Sequence, residues 1–177
     1  MLPDASGVDL SSPHASGTPA RVAKMFLGEL FAGLTAPKPA LTEFPNDEGI
    51  DQMLMVGPIA VRSTCAHHLA PILGRCWIGV LPSQQGNLLG LSKYARLARW
   101  VFARPCVQED ATKMLADELE AALDPVGLGV IVEAEHACMR WRGVKETAAL
   151  MVTQDLRRAL RDDSDARQEF LRAVGRL

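Results

Sequence analysis

Apolar residues along this chain recur in two periods, and the switching between them lays out the fold. Val22, Met25, Phe26, Leu30, Phe31 and Leu34 fall three and four residues apart, the spacing of one helical face. Thr18-Pro19 ahead of them offers a cap followed by proline in the first turn, and Pro37 and Pro39 close the segment. Residues 1–17 are rich in Ser, Pro, Gly and Asp and predict an irregular stretch. Residues 51–62 and 74–81 are short, apolar and strand-like, the second carrying Trp77, Ile78 and Val80. Gly86-Asn87 marks a further turn.

Helical spacing returns over 92–103 and again over 107–123, where Ala111, Met114, Leu115, Leu119 and Ala122 share a face. Asp124-Pro125 stops the second of these. Residues 127–134 and 137–152 read as two more strands, with Arg142-Gly143 interrupting the latter. Residues 165–174 read as a last helix, capped by Ser164 and burying Phe170, Leu171 and Val174. After the first helix the order is strand, strand, helix, helix, strand, strand. That order predicts an α+β fold, an antiparallel sheet with a helix pair packed on one face, plus the N-terminal helix. Residues 18–177 make a single domain, long enough for one sizeable core.

Composition changes this picture only by exclusion. A net charge of −2 gives no basic surface for nucleic acid and no polybasic contact for a membrane. No apolar run approaches the ~20 residues of a membrane span. Met1-Leu2-Pro3-Asp4 lacks the basic and apolar regions of a secretory signal. Four cysteines are too few for a disulfide scaffold of this length and fit reduced thiols in the cytoplasm.

The candidate chemistry lies where those cysteines meet the histidines. Cys65-Ala66-His67-His68 sits on the turn between the first two strands, and His136-Ala137-Cys138 follows far along the chain. Cys65 and His68, three residues apart, let one tight turn aim a thiolate and an imidazole at one ion, and Cys138 would make a third ligand. Three protein ligands with one open position describe a catalytic zinc site, whereas a structural site takes four. Taken singly, a C-x-x-H pair is often incidental, and Cys138 also reads as a buried apolar thiol. His67 and His136 stand beside this set with no metal to ligate and are free for proton transfer.

Polar residues on the helices add weaker signals. Ser92, Lys93 and Arg96 open the 92–103 helix, and a hydroxyl with two cations at a helix N-terminus suits a phosphate. They equally suit a solvated basic face. Glu109, with Gln108 and Val107, opens the next helix. Acidic residues belong in a first turn, yet a carboxylate can also accept from guanine N1–H and its exocyclic amine. Arg142, four residues beyond Cys138 on the expected strand, falls on the same face as Cys138.

These residues carry a family resemblance. Ser63-Thr64-Cys65-Ala66-His67-His68, Gly90-Leu91-Ser92-Lys93, Val107-Gln108-Glu109, His136-Ala137-Cys138-Met139 and Arg142-Gly143-Val144 closely resemble the zinc-dependent GTP cyclohydrolase I family. Gly17 to Met25, and Glu169 to Val174 at the other end, are also similar to it. The resemblance implies the tunnel fold (T-fold) and a homo-oligomer, typically a toroidal decamer with active sites at subunit interfaces. It implies Zn2+ on Cys65, His68 and Cys138, activating water for attack on C8 of the guanine of GTP. His136 would protonate N7, and His67 would assist proton movement. Ser92 would lie by the ribose; Val107, Gln108 and Glu109 would hold guanine. Lys93, Arg96 and Arg142 would hold the triphosphate, with Arg21 from a neighbouring subunit. The products would be formate and 7,8-dihydroneopterin triphosphate, the first step of folate and pterin synthesis.

The chain departs from the family pattern at three places within its motifs and strands, and its N-terminal extension is also short. Ala66 replaces a glutamate, Asp110 replaces a basic residue, and residues 147–153 are mostly apolar where the family strand is rich in Ser and Thr. Three alternatives to the family reaction remain open at this level. One is a divergent paralogue acting on a modified or deoxy purine nucleotide. Another is a non-catalytic purine- or pterin-binding T-fold module, and the third is a T-fold reductase of a deazapurine.

Overall fold

In the computed structural model, residue 7 and residues 9–175 are described. Five strands form the main sheet, in the order β5-β2-β3-β6-β7: β2 (Leu54–Cys65), β3 (Pro71–Leu81), β5 (Pro105–Cys106), β6 (Gly127–His136) and β7 (Met151–Arg158). All neighbouring pairs are antiparallel except β2 with the two-residue β5. β1 (Glu43–Pro45) and β4 (Asn87–Leu89) form a separate ribbon. Helices α3 (Leu91–Phe102) and α4 (Gln108–Leu123) pack on one face of the sheet, as the residue pattern predicts. Leu97, Val101, Leu115 and Leu119 meet Val61, Ile78, Val130 and Val132 there in the main core.

β6 explains why its sequence runs apolar without a break from Gly127 to Val132. Leu128, Val130 and Val132 face α3 and α4, while Ile131 faces away, toward Leu160 and Phe170. Phe170 belongs to the last helix, α7 (Ser164–Ala173), which follows the short α6 (Ala159–Asp162). A strand covered on both sides loses the alternation of a half-exposed one. Asp163, one residue before the expected cap, accepts the backbone N–H groups of Asp165 and Ala166.

Two expectations change. The N-terminal helix is α1 (Thr18–Met25), then a π-helical segment (Phe26–Leu30), then α2 (Ala32–Thr35). Only Gly33 of these is buried, where its N–H bonds the Ala103 carbonyl at 2.8 Å. Periodicity states which side chains share a face and not what covers that face. The strand expected at 137–152 is absent. Its first residues form a helical turn, α5 (Ala137–Arg140), and a loop carries Gly143 and Lys145 at positive φ. β7 starts only at Met151 and runs on through Gln154-Asp155-Leu156-Arg157, too polar to read as a strand. Those charges clamp it to α4: Arg157 binds Asp155, Asp117 and Glu120 at 2.7–2.8 Å. Among the described residues no helix is long and apolar enough to cross a membrane.

The seat of Phe170 gives a stability test. A Cβ on Gly79 would lie 2.5 Å from Phe170 Cδ2 and 3.2 Å from Met55 Sδ. Gly79→Ala should therefore cost about 1–3 kcal/mol by overpacking, read as a lowered thermal midpoint. In a Phe170→Leu background the same substitution should cost clearly less; an equal loss in both backgrounds would contradict this packing.

Candidate active site

Local backbone bonds shape the first half of the site. β2 ends at Cys65, whose N–H and carbonyl bond Ala70 O and Leu69 N, both at 2.8 Å, closing the turn that carries His67 and His68. Ala66 N–H reaches the Cys106 carbonyl at 3.1 Å, tying that turn to β5. The second half arrives through sheet register. Thr64 pairs with Pro71, and Ile72 pairs with His136, so the ends of β2 and β6 meet across β3. The helical turn α5 then brings Cys138 back over Cys65, Ile72 and Ala134.

The ligand atoms of Cys65, His68 and Cys138 consequently lie within 4.8 Å of one another. Ligands at ~2.3 Å from a tetrahedral ion stand roughly 3.8 Å apart, so a contraction of at most about 1 Å would close the set. Two thiols and an imidazole select a zinc-like transition ion over calcium or magnesium, which prefer oxygen. Burial and the neighbouring Cys65 thiol push the Cys138 thiol up; a cation between them would offset both effects.

Beside this cluster stand His67 and His136. His67 Nδ1 is 3.6 Å from Cys65 Sγ, and its ring is exposed. His136 closes β6, and its Nε2 lies 2.8 Å from Gln108 Oε1. Burial pushes the His136 imidazole down, and the Glu109 carboxylate opposes this. Glu109 lines a cleft of about 220 Å³ with Thr112, Lys113, Thr153, Gln154 and Asp155. Gln108 is only 2% exposed, and its amide is turned into the protein toward β6 and β7.

The remaining candidates are placed less closely. Arg142 sits in the loop after α5, and its charge bears on Cys138; the two are neighbours through a turn and not, as expected, along a strand. Ser92, Lys93 and Arg96 stand in the first turns of α3, with no side-chain hydrogen bond or ion pair among the described residues. Among the described residues Arg21 reaches only its own segment, at His14 O and Thr18 Oγ1. Thr112 and Thr153, which back Gln108 from below, escape the sequence reading. Thr153 closes a mostly apolar run, and Thr112 lies four residues after Gln108; neither signals its role.

The cluster predicts metal content directly. The purified protein should hold about one transition-metal ion per chain. Cys65→Ala, His68→Ala and Cys138→Ala should each lose most of it, measured by elemental analysis after dialysis against a weak chelator. Full metal content in all three variants would place the ion elsewhere.

Comparison with known proteins then places the chain. A sequence model described as GTP cyclohydrolase I matches residues 1–175. A GTP cyclohydrolase 1 of Streptomyces coelicolor is 44% identical over 159 residues, covering 89% of this chain and 78% of that protein. Those of Flavobacterium johnsoniae and Thermoanaerobacter pseudethanolicus are each 39% identical, over 93% and 97% of this chain and 73% and 90% of theirs. Among solved structures, an apo archaeosine synthase QueF-Like is similar at a TM-score of 0.44 and 12% identity, over 68% of this chain and 95% of its own. By the family match and these identities, the chain belongs to the GTP cyclohydrolase I family.

Proposed function

We propose that this protein hydrolyses and rearranges GTP to 7,8-dihydroneopterin triphosphate, releasing C8 of the guanine as formate. The observation that carries the reading is the convergence of Cys65, His68 and Cys138 beside His136 and Glu109. A zinc ion held by those three ligands would supply Lewis-acid activation of water toward C8. Glu109, with the backbone at Val107, accepts from guanine N1–H and the exocyclic amine. His136 delivers a proton to N7, and His67, exposed above Cys65, moves protons as the imidazole ring opens. Ser92 lies by the ribose during its rearrangement and reclosure.

The triphosphate falls to Lys93, Arg96 and Arg142, whose cations are free of ion pairs among the described residues. Arg21 joins them from a neighbouring subunit. An open sheet supports such an assembly: among the described residues β7 is an edge, and twelve-residue β2 is covered on its outer side only at Thr64 and Cys65. Unpaired edges of this length invite pairing with another copy, in keeping with a ring-shaped homodecamer. The reaction is the entry to folate and pterin synthesis, in the cytoplasm.

Zinc-loaded protein incubated with GTP should produce formate and a pterin chromophore in equal amounts. His136→Ala should lower turnover by about 10²–10⁴-fold, and Cys138→Ala should abolish it. Zinc-loaded wild type that consumes neither GTP nor dGTP would contradict the proposal and favour a binding module.

A further inference from the structure

The invariably donating half of the Gln108 amide can be assigned from its surroundings. Its Nε2 lies 3.2 Å from the carbonyl oxygens of both Val132 and Met151. Carbonyl oxygens only accept, so nitrogen must face them and Oε1 must face the other way. A second circuit agrees. Thr112 Oγ1 donates to the Gln108 carbonyl at 2.8 Å. Its proton is thus committed, and Thr153 must be the donor in their 2.7 Å contact. Thr153 Oγ1 then accepts from Gln108 Nε2 at 3.1 Å.

The amide oxygen left over points at His136 Nε2, 2.8 Å away. It can only accept, so Nε2 carries the hydrogen. A neutral imidazole has one N–H, which leaves the lone pair on Nδ1. Nδ1 has no hydrogen-bond partner among the described residues.

We propose that Gln108 is a positioning residue, backed by Thr153 and Thr112, which locks His136 as the Nε2–H tautomer and leaves Nδ1 as the nitrogen that exchanges a proton with the substrate. Its catalytic consequence rests on the cyclohydrolase reading; the tautomer itself does not. The buried carboxamide therefore does not read the guanine. It acts through His136, much as outer hydrogen-bond partners fix the ring of other working histidines.

Neutron diffraction from deuterated, substrate-free crystals, held above the titration range of imidazole, tests the tautomer without any turnover. Deuterium on His136 Nε2, with the Gln108 ND2 facing Val132 and Met151, is expected. Deuterium on Nδ1 with a bare Nε2 would overturn the proposal even if the protein converts GTP. Kinetics test the consequence. Gln108→Leu should lower kcat about 10–100-fold with KM changed less than about threefold. Thr153→Val, which leaves the amide in place, should lower kcat by a smaller factor, about 2–10-fold. A raised KM at unchanged kcat in Gln108→Leu would mean that Gln108 contacts the base and would overturn the positioning role.

Discussion

The site depends on a single register. Ile72 pairs with His136 on one side of β3, and Pro71 pairs with Thr64 on the other. Those pairings put the last residue of β2 and the last residue of β6 at one end of the sheet. A slip of one residue in either ladder would reverse every side chain on the slipped strand. Cys65 would then leave the cluster, or His136 would turn from Gln108. The hydrophobic faces prevent the slip, because Val61, Ile78, Val130 and Val132 would leave the core with it. Packing far from the cluster thus fixes the positions of the groups in it.

Beneath the open cluster lies a closed polar layer. Gln108 is buried, and burying an amide costs about 1–3 kcal/mol unless its bonds are made. Here both ends of the amide are bonded, the nitrogen to β6 and β7 and the oxygen to His136. The same two outer elements, α4 and β7, are clamped further along by Arg157 with Asp117 and Glu120. Single exposed ion pairs contribute little, but the Arg157 side chain is only 14% exposed and shared among three carboxylates. It keeps Thr112 on α4 against Thr153 on β7. Above that layer the groups are exposed: His67, His68, Ser92 and Arg142 all reach solvent. Rigid support below and accessible chemistry above is the arrangement a small-molecule enzyme needs.

Much of this was legible from residue pattern. The helix pair, the two strands before it, β6 after it and the Cys65 turn follow from periodicity and turn residues. The metal cluster follows from donor chemistry at a three-residue spacing. What the pattern could not carry depends on distant partners. Residues 137–152 alternate like a strand, but the backbone curls after His136, and only Met151 onward finds a partner in β6. Arg157 looks like a solvated charge until α4 packs beside it. Gln108 sits next to Glu109 in sequence, and nothing in that adjacency signals that its amide bonds β6, β7 and His136. The apolar face of α1, with Val22 and Met25 exposed, is equally plain in sequence and equally silent about its cover.

The central claim is that Cys65, His68 and Cys138 hold one zinc ion and leave it a position open to water and substrate. X-ray absorption fine structure at the zinc edge of the loaded protein tests this most directly. The account predicts two sulfurs at ~2.3 Å, one nitrogen at ~2.0–2.1 Å and one further light atom that changes when a nucleotide is added. A shell closed by four protein ligands, or one with fewer than two sulfurs, would contradict it.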